Sequence, residues 1–124
     1  MEGKNPKIQT FQDLRAWQEA HKLLLIVYHD TGKYPAEEKF GLVSQSRRAA
    51  VSVTSNIAEG FGRYSAKDKG HFYTMAKTSL AELQNQLIVA RDLQFLPSDV
   101  FEKMFEQSEH AGSLIKGLMR SVAA

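Results

Sequence analysis

Apolar residues in this chain recur at spacings of three and four, and no stretch alternates with a strand's period of two. This constrains the fold more than any other feature, because an apolar stripe at helical period is buried most simply against other helices. Proline occurs only at Pro6, Pro35 and Pro97, so the stretches between them carry no breaker. Four helices follow. The first runs from about Asp13 to Thr31, capped by Thr10 or Asp13 and stopped at Gly32 before Pro35. The second spans about Ala36 to Phe61 and stops at Gly60 or Gly62. The third starts at Ser65, where Ser65-Ala66-Lys67-Asp68 resembles a capping box, and continues to about Leu93. The fourth starts at Ser98 or Asp99, with Asp99 and Glu102 spaced as a box, and runs to about Val122.

The fourth helix has the clearest seam: Phe101, Met104, Ser108, Ala111, Ile115, Leu118 and Val122. The third offers Phe72, Ala76, Leu80, Leu83, Leu87 and Ala90. Short connections make neighbouring helices antiparallel. The expected fold is all-α, an antiparallel up-down-up-down four-helix bundle. Residues 1–10 read as a polar N-terminal tail and residues 11–124 as one bundle domain.

Several chemistries lack their residues. There are no cysteines, which removes disulfides, thiolate metal sites and cysteine nucleophiles. His21 and His29 lie eight apart, not the three or four that sets two ligands on one helical face. Gly60, Gly62 and Gly70 form neither a phosphate loop nor a dinucleotide fingerprint, and no serine sits in a nucleophile elbow. The expectation is a non-enzymatic protein with no cofactor and no metal. No apolar run is long enough for a membrane helix and Met1 to Lys7 has no apolar signal core, so the expected location is cytoplasmic. A net charge of +2 is too mild to announce a nucleic-acid binder.

Two surfaces are candidates for assembly. On the second helix Leu42, Val43, Ala49, Ala50, Val53, Ile57 and Phe61 share one arc, while Gln45, Arg48, Ser52, Ser55, Asn56 and Glu59 share the opposite one. The polar arc is either a solvated face or a subunit contact. Short neutral polar residues permit close approach, while Arg48, Asn56 and Glu59 would fix register. On the first helix, Leu23-Leu24-Leu25-Ile26-Val27-Tyr28 is apolar around the whole circumference, wider than one bundle groove. Leu23 and Ile26 are taken as subunit contacts; a wide core face with exposed apolar residues is the alternative.

Charge sorts by end. In such a bundle the N-terminal tail, the second–third loop and the C-terminus lie together. That end carries Lys4, Lys7, Arg15, Arg63, Lys67, Lys69, Lys116 and Arg120 against Glu2, Asp13, Glu59 and Asp68. The opposite end is net acidic. The loop mixes Arg63, Lys67 and Lys69 with Tyr64, Phe72 and Tyr73, a composition that can hold phosphates while aromatics stack on bases. An ordinary solvated turn is the alternative.

The second helix and its flanks also carry a specific pattern. Tyr34-Pro35-Ala36-Glu37-Glu38, the run Gln45-Ser46-Arg47-Arg48-Ala49-Ala50, and Asn56-Ile57-Ala58-Glu59-Gly60 followed by Arg63 resemble the bacterial four-helix-bundle proteins linked to intervening sequences in 23S ribosomal RNA genes. Phe11, Asp13, Leu14 and Trp17 match that family's opening pattern, and Phe72, Ala76, Ser79 and Glu82 its third helix. The resemblance covers about Phe11 to Leu118. It implies a homo-oligomer, with a pentameric ring as its form, and transfers no catalytic residue. The family is similar to the accessory protein of diversity-generating retroelements, a basic barrel associated with RNA and a reverse transcriptase. Where members often have Ala-x-Gly-Ser on the third helix, this chain has Ala76-Lys77-Thr78-Ser79, and Thr78 is bulkier than glycine. The combined expectation is a homo-oligomer that binds RNA or another structured nucleic acid through Arg63, Lys67, Lys69, Lys4, Lys7 and Arg15. The alternative is a scaffold for a protein partner, with no nucleic acid.

Overall fold

A computed structural model describes residues 7–123. Among them are four α-helices and no strand: α1 Arg15–Thr31, α2 Leu42–Phe61, α3 Ala66–Asp92 and α4 Ser98–Ser121. Each helix packs on its chain neighbour, and α1 packs on α4, so the four enclose one core. Leu23 and Val27 of α1, Val53 and Ile57 of α2, Leu83 and Leu87 of α3, and Met104 and Ile115 of α4 are all fully buried there. Each such side chain contributes ~1.5–3 kcal/mol by leaving water.

The helix ends differ from the sequence expectation for local reasons. Before α1 the chain makes a 3-10 turn over Phe11–Asp13. The Asp13 carboxylate accepts from the backbone amides of Gln9 (2.9 Å) and Thr10 (3.0 Å), so it closes this turn and does not cap α1. Those two amides, Gln9 first, also hold the Asp13 carboxyl below its ordinary pKa. The expected second helix is broken. A 3-10 turn covers Ala36–Glu38, and α2 begins only after Gly41, where the Glu38 carboxylate accepts from the Leu42 amide at 3.2 Å. Ser65 caps α3 as expected, accepting from the Asp68 amide at 3.0 Å. Neither Ser98 nor Asp99 caps α4; Pro97 occupies the N-cap and Ser98 is the first helical residue.

The α3 terminus is unusual. Gln94 takes φ 66°, in the left-handed region, where glycine is the usual occupant. The Phe95 amide reaches back to the Ala90 carbonyl and the Gln94 amide to that of Arg91, both at 2.9 Å. These are the two bonds of a Schellman motif, which satisfies carbonyls at the helix end.

Polar contacts set the relative heights of the helices. Gln107 of α4 donates to the Glu19 carbonyl (2.9 Å) and carboxylate (3.0 Å) of α1. That bond, ahead of Lys22, lowers the Glu19 pKa. Gln84 of α3 donates to Ser108 of α4 at 2.9 Å. Arg47 of α2 donates to Thr31 Oγ1 (3.0 Å) and to the Tyr28 carbonyl (3.1 Å), with its guanidinium over the Tyr28 ring. This ties the end of α1 to the first turns of α2.

Helices α2 and α3 approach closely at Gly60. A Cβ there would lie 2.7 Å from Cε1 of Tyr73 on α3 and 3.1 Å from Cβ of Phe72. Gly60 therefore lies inside α2 and admits the α3 aromatics; it does not stop the helix. Thr78 crowds nothing, being exposed with its hydroxyl donating to the Thr74 carbonyl.

Candidate nucleic-acid and assembly surfaces

The α2–α3 junction is built around its cations. Arg63, just past α2, pairs with the Glu59 carboxylate one turn back at 2.8 Å, and its guanidinium lies over the Phe72 ring. Lys69 donates to the Phe61 carbonyl at 2.8 Å, placing a positive charge on the exposed carbonyl end of α2. Both cations thus serve the junction itself. Lys67 is exposed and makes no ion pair among the described residues. Tyr64 is fully exposed, with its ring free on both faces. Tyr73 is not a stacking candidate: it is buried under Gly60, and that burial raises its pKa. An open groove of about 740 Å³ runs past Ser55, Glu59, Arg63, Tyr64 and Asp68. Its charge is mixed, with two carboxylates against one guanidinium.

The other predicted cations lie around the same end. The Phe11–Asp13 turn packs on α2, and Gly70 near the start of α3 lies beside Val122 at the end of α4. Lys7, Arg15, Lys116 and Arg120 are exposed there. Lys4 falls outside the described residues.

The polar stripe of α2 divides. Ser52 shares a 2.8 Å hydroxyl contact with Ser79 of α3, and Asn56 donates to the Ser52 carbonyl (2.9 Å) and hydroxyl (3.2 Å). These two residues are half-buried within the bundle, where their small size lets α2 and α3 approach. Arg48 and Glu59 do not pair with each other; Glu59 serves Arg63, and Arg48 is exposed. The apolar run on α1 also divides. Leu23 is 1% exposed and belongs to the core, so it is unavailable to a neighbour. Ile26 is half-buried against that core. Leu25 and Tyr28 are the members left exposed.

One residue stands out that the periodic pattern does not mark. Phe40, in the turn before α2, is 88% exposed. It overhangs a groove of about 520 Å³ lined by Tyr28, Val43, Arg47, Arg48 and Val51. Its flanks, Lys39 and Gly41, are turn residues, and an aromatic outside every helical stripe is the signal that was available in the sequence.

No group of three or more His, Asp or Glu residues suited to a metal occurs among the described residues. His21 instead stacks on Trp17 at 4.7 Å. No described helix is long and apolar enough to cross a membrane. Residues 12–117 match the family model described as 23S rRNA-intervening sequence protein. No curated protein matches the chain. The match spans well over half the sequence, and the chain belongs to the 23S rRNA-intervening sequence protein family.

Proposed function

We propose that this protein is a non-enzymatic homo-oligomer that binds RNA or another structured nucleic acid through the end of the bundle holding the α2–α3 junction. In this reading the helices run up-down-up-down, copies close into a ring of five as the family resemblance implies, and the basic ends add into one face. What supports it is the exposure of Arg15, Lys67 and Arg120, with Lys7 and Lys116, on the helix ends and flanks assigned to that end, where Tyr64 is also fully exposed. Affinity would come from phosphate contacts, with little readout of sequence.

The test is titration of a fluorescent structured RNA with the protein across a salt series. Lys7→Gln, Lys67→Gln and Arg63→Gln together should weaken binding and reduce the slope of log affinity against log salt by about one per lost phosphate contact. Neutral replacements avoid the conflict that a carboxylate at position 63 would create with Glu59. Lys33→Gln, at the opposite end, should change nothing. Equal loss from Lys33→Gln would refute the basic-end reading. No binding at low salt would leave the protein-scaffold reading in its place.

A further inference from the structure

We propose that the exposed face of α2, with the end of α1, is the docking surface for the outer edge of α4 of a second copy. This rests on the homo-oligomer reading above and names the surfaces it uses. The α2 face combines exposed aromatic and aliphatic side chains, Tyr28, Phe40 and Val51, with the cations Lys39, Arg47 and Arg48. Arg47 is bonded only to neutral groups, so its charge is uncompensated. Neither Lys39 nor Arg48 has an ion-pair partner among the described residues. On its α3 side the face continues into a second groove, past Arg48 to Gln86, whose amide oxygen is buried and has no hydrogen-bond partner among the described residues.

The complementary surface lies across the molecule. Asp99, Glu102, Glu106 and Glu109 are exposed and follow one another at steps of three, four and three, which draws a single row of carboxylates along α4. None is in an ion pair among the described residues, and the groove beside them, lined by Phe101 and Phe105, holds one cation, Lys103, against these four carboxylates. In the helix ring, α2 and α4 both pack on α1 and α3 and so occupy diagonal corners. A cationic, aromatic face on one side and an anionic row on the other join copies head to tail.

The heights agree. Gly60 meets Tyr73 while Ser52 meets Ser79, so α2 and α3 run in opposite directions. Gln84 meets Ser108 while Gly70 lies by Val122, so α3 and α4 do too. Hence α2 and α4 are parallel. Arg48 shares a groove with Glu82 and Gln86, the level at which α3 meets Ser108. In two copies side by side and parallel, Arg48 of one therefore stands level with Glu106 and Glu109 of the other. Lys39, before the start of α2, stands towards Asp99 and Glu102 at the start of α4.

The test is light scattering of the full chain at micromolar concentration. Wild type should weigh several times 13.9 kDa. Lys39→Glu with Arg48→Glu should reduce the mass to that of a monomer, and so should Glu102→Lys with Glu106→Lys. All four changes in one chain should restore the oligomer, because the reversed charges again oppose. Circular dichroism should show native helix content throughout, since all four positions are exposed. A monomeric wild type overturns the assembly reading itself. An oligomeric wild type whose mass neither pair changes overturns only this surface assignment. Lost RNA binding at unchanged mass in Lys39→Glu/Arg48→Glu assigns the face to nucleic acid and overturns the docking proposal.

Discussion

Replacing Gly60 by alanine asks whether the close approach of α2 and α3 governs the fold. In an open helix interior the change stabilises by about 1 kcal/mol, because glycine loses more backbone freedom on folding. Here the new methyl would stand 2.7 Å and 2.9 Å from two carbons of the Tyr73 ring and 3.1 Å from Phe72 Cβ. Phe72 Cβ is fixed by the backbone, and the Tyr73 ring is buried with no solvent to move into. Relief requires α2 and α3 to separate, and overpacking of this kind costs ~1–3 kcal/mol, occasionally more. Taking the propensity gain from the steric cost leaves a net loss of up to about 2 kcal/mol. For a domain of this size that lowers Tm by up to roughly 8 °C. The assay is a thermal melt at fixed protein concentration, because assembly couples to apparent stability. Gly62→Ala is the control. Its methyl would meet nothing closer than 3.6 Å, so it should be neutral or mildly stabilising. Tyr73→Leu should remove much of the Gly60→Ala penalty in a double-mutant cycle. A rise in Tm for Gly60→Ala would show that the helices yield freely and would refute the reasoning.

Gln94→Gly relieves a left-handed backbone in a Schellman motif and should stabilise by about 1 kcal/mol in a denaturant melt, with Gln94→Ala giving no such gain. Burial first, then Asp30, pushes the Tyr34 pKa up to about 12, so its stabilising contribution is full below the ordinary value of 10.0 and is lost as pH rises from there towards 12. Tyr34→Phe removes a buried hydroxyl without a partner; it should be neutral or stabilising at neutral pH and should flatten the loss seen between melts at about pH 9 and about pH 11. Glu59→Gln breaks a surface pair worth ~1 kcal/mol or less, so Tm should scarcely change, while release of Arg63 should tighten RNA binding.

The helix count and core were legible because they depend on the period of apolar residues. The seam from Phe101 to Ile115 on α4 and that from Ala76 to Ala90 on α3 are buried as that period requires. Helix starts were less legible, since side chains there have alternatives. Asp13 bonds backward to Gln9 and Thr10 and closes a 3-10 turn ahead of α1, and Glu38 bonds forward to Leu42, so the first turn of the expected second helix became a separate 3-10 turn. At the α2–α3 junction the residue types were right for phosphates, but their engagement with the fold was invisible. Lys69 answers the carbonyls of α2, Arg63 answers Glu59, and Tyr73 fills the space left by Gly60.

The small polar residues of α2 show why an assembly surface is hard to read from one helix alone. Ser52 and Asn56 looked like residues chosen for close approach, and they are, but the helix that approaches is α3 of the same chain, through Ser79. Once those groups are satisfied internally, they have little left to offer a neighbour. What remains on α2 is Arg48 without a partner, next to Phe40, whose ring is almost wholly in water. An aromatic ring held out on a turn gains nothing from folding, so its burial, if it comes, must come from another molecule. On the homo-oligomer reading proposed above, the surface that offers such a cover its contacts is the one where helical periodicity ends and the turn into α2 begins.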